Sequence, residues 1–131
     1  MVGDPLEEYK DVSDNMRHYA NMRFAQLSLY FALSAGLIAT VFGSSPPLAD
    51  SLRFVLKLVG VVGSSAFGVM DDRAADYWHQ LRRRAVIIEG ELGFEQHTNR
   101  PRRRVLTATN AVRMMIWGSA VLWIVAAIAQ V

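Results

Sequence analysis

The side chains best placed to do chemistry in this sequence fall in one stripe. Arg53, Lys57, Gly60, Ser64, Gly68 and Asp71 follow one another in steps of three and four, which sets them on one face of a helix. The run around them is otherwise apolar. Such a face suits the wall of an ion passage: Gly60, Ser64 and Gly68 leave space, Lys57 sets the field and Asp71 stands at one mouth. A ring of Lys57 favours anions, whereas Asp71 and Asp72 attract cations, so the sign of the selectivity stays open. The plainer alternative has Lys57, about a turn inside the run, snorkelling to the headgroups.

Arginine clusters supply a second chemistry. Arg82, Arg83 and Arg84 are consecutive, and Arg100, Arg102, Arg103 and Arg104 flank Pro101. Between Asp71 and Arg113 no lysine occurs, although only two lysines occur in the whole chain. The guanidinium fork matches phosphate oxygens two at a time, which makes a nucleotide, an oligonucleotide or anionic lipid the expected partner. No aromatic residues alternate with these arginines as they do where single strands stack. Catalysis has little to stand on. His18, His79 and His97 lack metal-ligand spacing, and the chain has no cysteine. Asp71, Asp72 and Asp76 are expected to end a span and pair with Arg73. No phosphate loop, nucleophile elbow or zinc motif is present, so neither an enzyme, a cofactor nor a metal site is expected.

The elements that carry these residues follow from segregation. Of 131 residues, 52% are hydrophobic and 20% charged, and the two kinds are kept apart rather than alternating. Phe24–Gly43, Phe54–Met70 and Met114–Val131 are apolar runs of roughly 17–20 residues, each enough for a helix to cross about 30 Å of hydrocarbon. The expected fold is all-α, one domain: an integral membrane helical hairpin, a third transmembrane helix over 112–131 and a cytoplasmic helical extension over 71–111. Residues 1–23 read as a lead-in helix, with Pro5 and the acids Asp4, Glu7 and Glu8 suited to a first turn. That acidic start is wrong for a signal peptide, so the first run is read as a retained span. Gly43-Ser44-Ser45-Pro46-Pro47 ends it, and Asp50 or Ser51 is the expected cap of the next helix. The arginines between 71 and 113 place that segment and the N-terminus in the cytoplasm, with the loop over 44–50 outside. Val131 then ends at the outer face, with Trp117 or Trp123 in an aromatic belt. A third run folded back on the hairpin is the alternative.

Two patterns point to self-association. Ser28, Ala32 and Gly36, then Ala35, Ala39 and Gly43, and on the second run Gly60, Ser64 and Gly68 form small-residue faces that let helices approach closely in lipid. Beyond Met70, the residues Ala74, Trp78, Leu81, Ala85, Ile88 and Leu92 make a heptad seam, weakened at Gly90 and Gly93. It either lies on the chain's own N-terminal segment or meets its symmetry mates in a cytoplasmic collar.

The stretch from Trp78 to Gly93, with Arg82-Arg83-Arg84-Ala85, Glu89 and Glu91-Leu92-Gly93, resembles that of the small bacterial SLATT-type membrane proteins. The likeness covers about residues 8–95. It implies a helical lead-in, a tight hairpin of spans and a cytoplasmic helix in a bacterial inner membrane. It further implies an effector of antiviral defence, forming a pore gated by a nucleotide-type signal. The chain departs from the pattern in its third apolar run and in having no recognisable sensor domain. The reading is a homo-oligomeric ion-conducting pore; the competing reading is a non-conducting membrane scaffold whose collar recruits a soluble partner.

Overall fold

The computed structural model describes residues 4–43, 45–99 and 107–129. Among them the fold is three helices, α1 (Pro5–Gly43), α2 (Asp50–Leu92) and α3 (Ala108–Ile128). Asp4 opens α1: its carboxylate accepts the Leu6 amide at 3.0 Å, and Pro5 occupies the first helical position, where a missing N–H costs nothing. The diproline after Gly43 ends α1 as expected. The start of α2 differs from expectation. Ala49 holds the capping position with no side-chain hydrogen bond, and Asp50 lies inside the first turn, where its charge favours the helix dipole. Gly93 ends α2 in the left-handed region at φ 73°, which a Cβ would disfavour. Thr107 caps α3 by accepting the Asn110 amide at 3.2 Å.

At 1.5 Å per residue α1 and α2 are about 58 and 65 Å long and α3 about 31 Å. All three are long and apolar enough to cross a membrane. The first two are roughly twice the hydrocarbon thickness, so only about half of each is needed for a crossing.

α2 is the central element. α1 lies antiparallel along one side of it, with Tyr9 opposite Glu89, Arg23 opposite Asp71 and Tyr30 opposite Ser64. α3 lies antiparallel along another side, with Arg113 opposite Asp72 and Ser119 opposite Ser64. α1 and α3 make no close backbone approach, but at the turn end Phe42 stacks on Trp123 at 6.1 Å between ring centroids.

Burial divides the molecule in two. In the apolar halves the large side chains point outward: Phe24, Leu122 and Ile128 are 74%, 71% and 78% exposed. Water would not tolerate so continuous an apolar surface, whereas lipid would. In the charged halves the arrangement is the reverse. Val12 and Met16 of α1 close on Ala85 and Ile88 of α2, with Tyr9, Trp78, Leu81 and Leu92 around them. The heptad seam thus faces the chain's own first helix, the first of the two arrangements its spacing allowed.

Candidate functional site

The stripe on α2 begins where charge gives way to apolar residues. Asp71 and Asp72 are adjacent, and neighbours on a helix point about 100° apart, so each meets a different flanking helix. Asp71 accepts both Nε and Nη2 of Arg23, at 2.8 and 3.0 Å, in a fork in which the Asp71 side chain is only 6% exposed. Asp72 takes the Nε of Arg113 on α3. The expected partner Arg73 is exposed instead and takes neither place. One turn of α2 therefore clamps both of its neighbours with charge.

Towards the turn the stripe stays covered by the same two helices. A Cβ placed on Gly68 would stand 3.0 Å from the Trp117 ring, and one on Gly60 would clash with the face of the Trp123 ring. Trp123 is accordingly buried against α2 and not free for an aromatic belt. Between the glycines, the Ser64 hydroxyl lies 3.3 Å from the Tyr30 hydroxyl and 3.4 Å from that of Ser119, joining all three helices at mid-depth. Lys57 completes the series, 3% exposed. Lys57, Gly60, Ser64, Gly68 and Asp71 are all buried within one chain. On the α3 side the Trp117 and Trp123 rings stand against Gly68 and Gly60, whereas between α1 and α2 an open groove reaches Gly60 and Ser64.

Seen chemically, the stripe is a polar seam that holds three helices together where lipid offers no hydrophobic drive. Sequence patterning found its α2 side but not its partners Arg23, Tyr30, Ser119 and Trp123. Two of these carried a signal: Arg23 directly precedes the first apolar run, and Tyr30 is the only residue of that run with a phenolic hydroxyl.

At the other end of α2 the organising group is Glu89, a residue whose side chain no periodicity singles out. It is fully buried. Its carboxylate accepts the amides of His97 at 2.8 Å and Thr98 at 3.0 Å, the Thr98 hydroxyl at 2.9 Å and the Tyr9 hydroxyl at 3.0 Å. The loop after α2 is thereby folded back over the start of α1. Burial alone pushes the Glu89 carboxyl up, but the donors from His97, Thr98 and Tyr9 outweigh it and hold the group below the usual carboxylate range. Tyr9 moves the other way, raised first by burial and then by its bond to the Glu89 charge.

The three consecutive arginines do not converge. Arg82 donates to the His97 carbonyl at 2.9 Å, Arg84 pairs with Glu8 at 2.6 Å, and Arg83 is exposed beside a 430 Å³ surface cavity lined by Asp76, His79, Gln80 and Arg82. The Arg84 pair lowers the Glu8 carboxyl and raises the guanidinium in return. Arg100, Arg102, Arg103 and Arg104 lie outside the described residues. No group of three His, Cys, Asp or Glu side chains is placed to hold a metal ion among the described residues. Compared with family models, with curated proteins and with solved structures, the chain matches none.

Proposed function

We propose that this chain is a multi-pass inner-membrane protein whose copies associate side by side, and that it acts as a membrane scaffold displaying a charged helical stalk to a soluble cytoplasmic partner. The observation that carries this reading is the closure of the polar seam. From Lys57 to Asp71 the α2 stripe is buried within one chain, with Trp117, Ser119 and Trp123 of α3 and Arg23 and Tyr30 of α1 packed against it, so a single copy closes most of the stripe on itself. The arginines of the segment between 71 and 113 orient the stalk and the N-terminus to the cytoplasm and the Ser45–Ala49 turn to the outside. With about 30 Å of α1 and α2 in hydrocarbon, the remainder projects as an antiparallel pair with the Val12–Ile88 core.

Association of copies is supported by what stays uncovered. Ser28, Ala32 and Gly36, and likewise Ala35, Ala39 and Gly43, are exposed along α1, and Cβ atoms on Gly36, Gly43 and Gly63 would meet nothing within 4 Å. Faces of this kind let a second helix approach closely.

A second reading, a pore between copies, is favoured by one observation. A 380 Å³ groove between α1 and α2 opens to the outside of the chain and carries Ser34, Thr40, Gly36 and Gly63 among its apolar lining. A passage there would run between subunits, touching the α2 stripe at Gly60 and Ser64 but not at Lys57. The antiviral-defence role and nucleotide gating that the SLATT resemblance implies belong to this reading. A nucleotide would use Arg83, or take Arg84 from Glu8.

Mass measurement and planar-bilayer recording of the purified protein test both. The scaffold reading expects an oligomer that passes no current, and a soluble protein retained by the intact stalk but lost when Arg83 and Arg84 become glutamate. Discrete currents from the same oligomer would replace the scaffold with the pore.

A further inference from the structure

Near the turn, the α2 stripe ends in a feature that the sealed seam does not use. Asp50, Arg53, Phe54 and Lys57 of α2, with Ala127 of α3, line a cavity of 350 Å³ that opens outward. Lys57 is 3% exposed, yet it makes no hydrogen bond or ion pair among the described residues. Arg53 lines the same cavity, and its Nε is buried with no hydrogen-bond partner. Two cations and one carboxylate, Asp50, share the lining without an ion pair among them, which leaves a net charge of one positive unit. The Lys57 stem is buried and its ammonium reaches the cavity without a counter-charge, so an anion entering there pairs with it.

We infer that this cavity is a binding site for a phosphate-class anion on the outer side of the membrane. Lys57 supplies a point charge from the floor, Arg53 directional N–H donors from the rim, and Phe54 an apolar wall. The site lies at the level where a spanning α3 ends, which is headgroup depth, so the phosphate comes from an anionic phospholipid or from free inorganic phosphate. It is separate from the stalk arginines, which lie at the opposite end of α2.

The test uses the full-length protein in neutral detergent. Native mass spectrometry compares retention of phosphatidylglycerol with chain-matched phosphatidylcholine, and calorimetric titration in lipid-free micelles follows inorganic phosphate. Preference for phosphatidylglycerol without phosphate binding identifies the lipid as the source, and phosphate binding identifies the free anion. In either case Lys57→Met is expected to weaken that binding about ten-fold or more, the loss of one charge-assisted contact. Arg53→Gln should weaken it less. Asp50→Asn, which removes the competing carboxylate, should tighten it, and this gain cannot come from misfolding. Equal retention of both lipids with no phosphate binding overturns the site. So does binding that Lys57→Met and Arg53→Gln leave unchanged while Asp50→Asn gives no gain.

Discussion

The two halves of the α1–α2 pair are built on opposite plans although the helices run through both without a break. In the charged half, Val12, Met16, Ala85 and Ile88 point inward and the charged side chains other than Glu89 lie towards the outside, as in a water-soluble antiparallel pair. In the apolar half, Ser64, Lys57 and the Tyr30 hydroxyl point inward, while Phe24, Val62 and Leu122 point outward. Each half is packed as its solvent requires. Water drives apolar surface together, so the charged half needs only a seam of aliphatic side chains. Lipid gives no such drive, so the apolar half is held by close approach at Gly60 and Gly68, by shared hydroxyls and by the ion-paired aspartates at its border. A third helix is added only where lipid is the solvent.

The border pair should be the most sensitive point of this contrast. Asp71→Asn leaves the Arg23 guanidinium without its counter-charge, and a loss on the order of 3–5 kcal/mol is expected in denaturation from micelles. The double replacement Arg23→Met with Asp71→Leu should recover most of it. By comparison Glu8→Gln, which breaks the exposed pair with Arg84, should leave the midpoint unchanged.

Glu89 gives the charged half its own equivalent. Glu89→Gln turns an acceptor of several donors into a group with an N–H₂ facing them, and a cost of about 2–3 kcal/mol is expected. Hydrogen exchange at the His97 and Thr98 amides should rise with it. The pH dependence has a definite sign. Because Glu89 is held below its unfolded value, its contribution is complete above the ordinary carboxylate range and lost as pH falls through the lowered value. Tyr9, raised above its unfolded value, contributes below that value and ceases to do so as pH rises through the raised one. The loop should therefore stay closed at pH 5 and release in stronger acid.

The glycines make the finest comparison. Gly60→Ala must displace the Trp123 ring and should cost about 1–3 kcal/mol. Gly63→Ala, three residues away in open space, should leave the isolated chain as stable or slightly more so. If Gly63→Ala nevertheless weakens the assembly of copies, the uncovered face is where they meet.

Much of this was legible in the sequence. Segregated apolar runs announce helices long enough to span, and the diproline and Gly93 mark two of their ends. The stripe was legible as a pattern but not as a role. Steps of three and four say that Lys57, Gly60, Ser64, Gly68 and Asp71 share a face, and nothing local says whether water, another copy or the same chain covers it. Its glycines are covered by Trp117 and Trp123 from a helix more than forty residues away, whose own spacing reads equally well as an aromatic belt. Glu89 stands in the stretch that carries the resemblance, but its role escaped for a different reason. A single glutamate in a helix rich in charge carries no periodic signal, and its burial depends on a loop returning to bring two backbone amides to it.

The absence of cysteine from the chain allows one measurement to examine the sealed seam directly. Single replacements Ser64→Cys, Val62→Cys and Ile87→Cys in native membranes would be exposed to a water-soluble, impermeant maleimide from the cytoplasmic side. A covered seam gives rapid labelling at Ile87→Cys and none at Val62→Cys, which faces lipid, or at Ser64→Cys, which faces Tyr30 and Ser119. Labelling of Ser64→Cys at a rate approaching that of Ile87→Cys would put water along the stripe and contradict it.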